Sequence, residues 1–180
     1  MRSLLAAALF AVAALAVPAF ADDDGYDDPP PVQRYLAELR LGDSFEDVQR
    51  IYAPAQDWPS HVEPRGRVTR YRVERAYAKH FPNWTQTLML GFKRGRLVDI
   101  QVIYNAKRSG EKTSEELARD LSLTYGEGER TGARFWWTDS RTVMRVFPVE
   151  VPTFKDGVRG VERRTSIQIL EKSLYSRGDD

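Results

Sequence analysis

The stretch "WTQTLMLGFKRGRLVDIQVIY", residues 84–104, decides the fold, because its apolar residues alternate with polar ones. Leu88 and Leu90 stand two positions apart in this run, which is the period of a β-strand with one buried face. The motif "KRGR" at 93–96 then interrupts the run with a glycine and predicts a tight hairpin turn. The alternation resumes at 98–104. The stretch therefore predicts two consecutive antiparallel strands.

The same period of two appears on both sides of this hairpin. Upstream, Tyr71 and Val73 alternate with charged residues and predict a strand from residue 68 onward. Downstream, the pattern predicts three more strands, at 134–138, 142–149 and 165–170. Each half of the chain is therefore expected to contain an antiparallel meander.

Two capping-box motifs predict helices ahead of these meanders. Ser44 is followed three residues later by Asp47, and Thr113 is followed at the same spacing by Glu116. In such a motif each side chain binds the backbone N–H of the other residue, which starts a helix. A further helix is predicted at 31–41, where Val32, Tyr35, Leu36 and Leu39 have the spacing of one helical face.

These elements predict an α+β fold, in which tandem helix-plus-antiparallel-meander units form one compact two-layer domain. The expected organisation is a helix-helix-meander unit at 31–104, a linker at 105–112 and a helix-meander unit at 113–175. The repeat would explain why a capped helix occurs twice in one chain.

The first capped helix also carries a resemblance to a known group. "LRLGDSFEDVQRIYAPA", residues 39–55, resembles the opening of the SmpA/OmlA (BamE-like) proteins and of the β-lactamase-inhibitor-protein-like proteins. A weaker echo of the same pattern lies at 113–126. The resemblance implies a non-catalytic envelope protein that binds another protein.

The first 21 residues have the features of a secretory signal peptide. Arg2 precedes an apolar run, and Ala19-Phe20-Ala21 forms a cleavage site. We expect cleavage after Ala21 and a periplasmic or secreted protein. Residues 22–30 are acidic and proline-rich, which predicts a flexible tail. No segment of the mature chain is apolar enough to predict a membrane span.

The residues offer no recognisable catalytic or metal-binding pattern. The chain has no cysteine and only two histidines, His61 and His80, both beside prolines in stretches that read as loops. Neither histidine has further ligands at zinc-site spacing or a serine in a strand-turn-helix elbow. We therefore expect no enzymatic activity, no metal and no cofactor.

The motif "RFWWT" at 134–138 is a candidate partner-binding surface. Strand alternation places Trp136 on one face with Arg134 and Thr138, opposite its two aromatic neighbours. Aromatic residues beside arginine are frequent anchors of protein interfaces. The alternative, equally open from the sequence, is that helices cover both faces here and all three aromatics belong to the core.

A second candidate surface is rich in arginine. Arg65, Arg67, Arg70 and Arg72 lie in a segment, 65–96, that contains only one acid, and this composition is typical of a polyanion-binding surface. A solvated sheet face with cross-strand ion pairs explains the same residues. A curved sheet under helices could also form a small-ligand cup. The sequence does not determine the partner or the oligomeric state.

Overall fold

The computed structural model describes residues 30–63, 67–155 and 157–175, and its main feature is one eight-stranded antiparallel sheet. The strand order is β3-β4-β5-β6-β10-β9-β8-β7, so the two meanders meet at β6 and β10. The strands are β3 (Ser60–Glu63), β4 (Val68–Glu74), β5 (Thr85–Lys93), β6 (Arg96–Tyr104), β7 (Glu129–Thr131), β8 (Arg134–Thr138), β9 (Thr142–Lys155) and β10 (Val158–Glu171). A separate two-stranded ribbon precedes them, β1 (Tyr35–Leu36) and β2 (Leu39–Arg40).

The helices are few and short, so the predicted α+β fold class is wrong. They are α1 (Phe45–Ile51), α2 (Ala106–Glu111), α3 (Ser114–Tyr125) and α4 (Lys172–Tyr175), with a 3-10 turn at Arg75–Tyr77. The described chain is mostly antiparallel β-sheet, without the balanced arrangement of helices and meanders that the sequence predicted. The strands of both halves belong to a single sheet, which leaves the helices to cover only part of it.

The helix predicted at 31–41 is also wrong, because this segment forms the β1–β2 ribbon. Ala37 and Glu38 make its two-residue turn, both with positive φ (51° and 64°), and the Tyr52 hydroxyl donates to the Ala37 carbonyl at 2.7 Å. Leu39 and Leu41 are both buried, at the alternate spacing of a strand. The helical spacing of the apolar residues arose from two short strands on either side of a turn.

Both predicted capping boxes are confirmed. The Ser44 hydroxyl accepts from the Asp47 N–H at the start of α1, and the Thr113 hydroxyl accepts from the Glu116 N–H at the start of α3. Each carboxylate in turn accepts hydrogen bonds from the side-chain hydroxyl and the backbone N–H of its capping residue, and these bonds lower the pKa of both Asp47 and Glu116. In the segment predicted as a linker, 105–112, the structure places α2.

The predicted hairpin turn is confirmed, with Arg94 and Gly95 between β5 and β6. Both residues have positive φ (51° and 73°), the conformation of a two-residue turn that matches strand twist. A register shift between Thr85 and Thr87 interrupts the alternation at the start of β5. Trp84, which the sequence placed in line with the buried residues of β5, is consequently 38% exposed.

The hydrophobic core lies on one face of the sheet, which we call the covered face. Val73, Leu88 and Ile100 are completely buried there, on β4, β5 and β6. The β1–β2 ribbon, α1 and α3 contribute the opposing side chains, including Leu39, Val48 and Ala118. The core is therefore continuous from the first meander to the second.

Two sequence predictions lie outside the described residues. The signal peptide at 1–21 falls wholly outside them, and so does all of the acidic tail except Pro30. Within the described part of the chain, no helix has the length and apolar character needed to cross a membrane.

Candidate functional site

The second face of the sheet, which we call the polar face, has a different composition from the covered face. Strand alternation and register place on it Arg70, Arg72, Met89, Asp99, Gln101, Ile103, Trp136, Arg145, Phe147, Ser166 and Gln168, together with the buried apolar residues Val68, Val143 and Leu170. None of these residues belongs to the hydrophobic cluster that the described helices help to form. The hydrophobic cluster therefore leaves this face of the sheet uncovered.

One row of side chains crosses the middle of the polar face. It runs through seven adjacent strands, in the order Arg72, Met89, Gln101, Gln168, Arg145, Trp136 and Glu129. Directly opposite residues of antiparallel strands lie close enough for their side chains to interact. The row therefore forms a continuous strip of polar, sulfur and aromatic groups.

Hydrogen bonds hold these side chains in fixed positions. The Gln168 amide donates to Asp99 Oδ1 at 2.7 Å, and Arg145 Nη2 donates to Gln168 Oε1 at 3.0 Å. At the far end, Trp136 Nε1 donates to Glu129 Oε2 at 2.8 Å. Side chains that are already fixed in this way lose little conformational entropy when a surface binds a partner.

A buried ion pair anchors one end of the polar face. Asp99 is only 1% exposed, and Arg70 donates to it across the intervening strand β5 as well as to Glu63 on β3. Gly91 lies between them, where a Cβ atom would stand only 2.9 Å from the Asp99 Cβ. Burial opposes the charge of Arg70, but Asp99 and Glu63 raise its pKa. Glycine thus leaves the space for this cross-sheet pair.

The structure places all three predicted partner-binding residues on the polar face. Arg134 and Thr138 are exposed, and Trp136 between them is partly exposed. Trp137 lies on the covered face, only 6% exposed, with its Nε1 donating to the Gly126 carbonyl at 2.8 Å. Phe135 also packs against the core. The three aromatics therefore divide between the faces, while the binding role stays a prediction.

The arginine-rich segment does not form one free cationic surface in the described chain. Arg70 pairs with Asp99 and Glu63, and Arg72 pairs with Glu74. Arg67 is exposed at the start of β4, and Arg65 lies outside the described residues. The pairs of Arg70 match the cross-strand alternative considered from the sequence, whereas Arg72 pairs with a residue of its own strand.

Both histidines are exposed, and His61 lies opposite Arg70 at the edge of the polar face. His61 lies on β3 rather than in a loop, and His80 lies in the connection before β5. In residues 30–63, 67–155 and 157–175, no three His, Asp or Glu side chains are grouped so that they could hold a metal ion.

The clefts of the described surface are open. One of them, about 530 Å³, opens beside α2 and includes Trp84, Tyr104 and Arg108. Trp84 packs edge-to-face on Tyr104, with ring centres 5.5 Å apart, and burial raises the pKa of the Tyr104 hydroxyl. This cleft lies beside the helix α2 and not under a helical layer, so it is not the cup considered from the sequence.

Sequence reasoning missed several residues of the polar strip. Met89, Arg145 and Gln168 each lie between two apolar residues that the alternation assigns to the covered face. Their positions follow from the same alternation, but only the strand order brings them side by side.

Comparison of the chain with protein-family models, curated proteins and solved structures gave no match in any of the three.

Proposed function

We propose that this chain is a non-catalytic protein-binding module that docks a partner protein on its polar face. The observation that carries the proposal is the strip from Arg72 to Glu129, which crosses seven strands outside the hydrophobic cluster. The resemblance of residues 39–55 to envelope binding proteins points in the same direction.

The chemistry of the strip suits a protein surface. Trp136 in the strip and Phe147 beside it on the polar face supply aromatic area, and tryptophan is enriched among residues that dominate binding energy. Arg134 is exposed and has no ion-pair partner among the described residues. We therefore expect a partner that presents an apolar side chain to the aromatics and a carboxylate to Arg134.

The test is affinity capture with two matched variants of the full chain. Met89→Arg adds a bulky charge in the strip, whereas Leu123→Arg adds the same charge on α3, where Leu123 is 87% exposed. We expect wild type and Leu123→Arg to capture the same partner in similar amounts. We expect Met89→Arg to capture about tenfold less of it, or less still. Equal capture by a folded Met89→Arg variant would contradict the proposal.

We also propose that the protein is exported and acts in the periplasm or outside the cell. The support is the composition of residues 1–21, a basic start followed by an apolar run and an Ala-Phe-Ala site. N-terminal sequencing of the protein recovered from the periplasm or the medium is expected to begin at Asp22. Membrane-bound protein that still begins at Met1 would contradict cleavage.

A further inference from the structure

The hairpin of β9 and β10 extends well beyond the strands beside it. β10 pairs with β6 only from Ser166 to Leu170, and β9 pairs with β8 only from Val143 to Val146. The distal segments, 149–155 of β9 and 158–164 of β10, pair with each other, and we call them the arm. Within the described chain no other strand pairs with the arm, so each of its two sides is a sheet edge.

The direction of the backbone groups on the β10 edge follows from one hydrogen bond. The Thr165 N–H donates to Ser109 Oγ of α2 at 3.1 Å, so it points away from β9. Backbone groups alternate between the two sides of a strand, and the pairing of β9 with β10 continues without a shift to Val158. The N–H and C=O groups of Arg159, Val161 and Arg163 therefore also point away from β9.

The opposite edge of the arm is blocked by proline. Pro148 is paired with Thr165 and Pro152 with Val161, so both prolines occupy outward positions of β9. Proline has no N–H to donate, and proteins place it at such positions to prevent edge pairing. The β10 edge has no proline between 158 and 164. Only one side of the arm therefore keeps a complete set of donors for strand addition.

The side chains along the open edge form an alternating pattern. Val161 is 63% exposed, and its neighbours on the same face, Arg159 and Arg163, are exposed as well. Neither arginine has an ion-pair partner among the described residues, although Glu150 lies opposite Arg163 on β9. Phe154, opposite Arg159, is 69% exposed and extends the apolar area.

We propose that the outer edge of β10 in the arm, residues 159–163, binds an extended segment of a partner protein by strand addition. The backbone groups of the edge supply the hydrogen bonds, and its side chains select the sequence. The bound segment carries an apolar residue opposite Val161 and acidic residues opposite Arg159 and Arg163. This site is separate from the polar face.

The first experiment measures binding of a short synthetic peptide, Ser-Thr-Glu-Thr-Val-Thr-Glu-Thr-Ser, to the full chain by fluorescence anisotropy. The control peptide has lysine in place of both glutamates. We expect the glutamate peptide to bind about tenfold more tightly at low salt, with a smaller difference at high salt because the charges are screened. The Arg159→Glu, Arg163→Glu double variant is expected to reverse the preference. Equal binding of both peptides to wild type would overturn the proposal.

A second pair of peptides tests the hydrogen bonds without changing the protein. N-methylation of the central valine removes a donor that faces the arm, whereas N-methylation of the adjacent threonine removes one that faces away. We expect the first change to weaken binding by about tenfold and the second to leave it nearly unchanged. Equal effects of the two would show that the peptide does not add as a strand.

Hydrogen exchange measured by NMR then locates the bound peptide. The amides of Arg159, Val161 and Arg163 are expected to gain protection when the glutamate peptide binds. If these three amides gain no protection and the chemical shifts of Met89 and Gln101 change instead, the peptide lies on the polar face and the proposal is overturned. Sedimentation without peptide tests a second copy as the occupant, since a dimer with these three amides already protected would also overturn it.

Discussion

The covered face and the polar face of the sheet bury their side chains by different means. On the covered face, Leu88 and Ile100 are completely buried and pack against residues of the ribbon and the helices. On the polar face, Asp99, Ser166 and Gln168 are also buried, beside the apolar Val143 and Leu170. The Gln168 amide donates a hydrogen bond to Asp99, and the Gln101 amide donates one to Ser166, in each case across two adjacent strands. One face is therefore an apolar core, and the other is a mixed face whose buried polar side chains are hydrogen-bonded.

The adjacent residues Trp136 and Trp137 test this difference most strongly. Trp137→Ala removes a buried indole from the core and is expected to lower the free energy of unfolding by about 3–5 kcal/mol. Trp136→Ala, on the polar face, is expected to lower it by less than about 1 kcal/mol. Denaturant melts of both variants measure the two values. Similar large losses for both would show that the polar face is also packed as a core.

The ion pairs of the polar face provide a second test. Arg70→Ala leaves the carboxylate of Asp99 buried without its main partner, and we expect a loss of about 2–3 kcal/mol. Arg72→Ala removes an exposed pair with Glu74 and is expected to cost less than about 1 kcal/mol. Thermal and urea denaturation compare the variants. Equal, small losses would mean that the Arg70 pair is not structurally important.

Asp139 accepts a hydrogen bond from the backbone of Val32, a core residue that precedes the β1–β2 ribbon. Its contribution to the free energy of unfolding is expected to be smaller and to depend on pH. Burial opposes its charge, but the N–H groups of Arg141, Thr142 and Val32 donate to its carboxylate at 2.7–2.8 Å, and its pKa is lowered from 3.8. A lowered pKa stabilises the fold above pH 3.8, and this contribution is lost as the pH falls through the folded-state value. We expect Asp139→Ala to cost about 1–2 kcal/mol near pH 7.

The measurement is the stability of wild type and Asp139→Ala between pH 7 and pH 2. The difference between the two proteins is expected to shrink below pH 3.8, where the wild-type carboxylate takes up its proton. Because other carboxylates titrate in the same range, the comparison with the variant isolates Asp139. A difference that stays constant with pH would contradict its role as a charged acceptor.

The sequence predicted the features that depend on neighbouring residues. The capping boxes at Ser44 and Thr113, the turn at 94–95 and the strand at 134–138 are all present. Each rests on a short motif whose backbone conformation is determined locally. The division of Trp136 and Trp137 between two faces followed from alternation alone.

The features that depend on distant contacts were not predicted. The ends of β9 and β10 contain Pro148, Pro152 and Gly160, which usually indicate that a strand has ended. They are tolerated because the prolines lie at outward positions of an edge. The polar strip depends on the pairing of β6 with β10, whose paired residues lie 63–71 positions apart in sequence, and local patterns carry no information on that pairing.

The central claim, that a partner docks on the polar face, is tested most directly by site-specific photo-crosslinking. The crosslinking amino acid p-benzoylphenylalanine replaces Trp136 on the polar face or, in the matched control, Leu123 on α3. We expect the captured partner to crosslink through position 136 and not through position 123, which is fully accessible but lies on the other side of the sheet. Crosslinking through position 123 alone would contradict the claim and place the partner on the helical side.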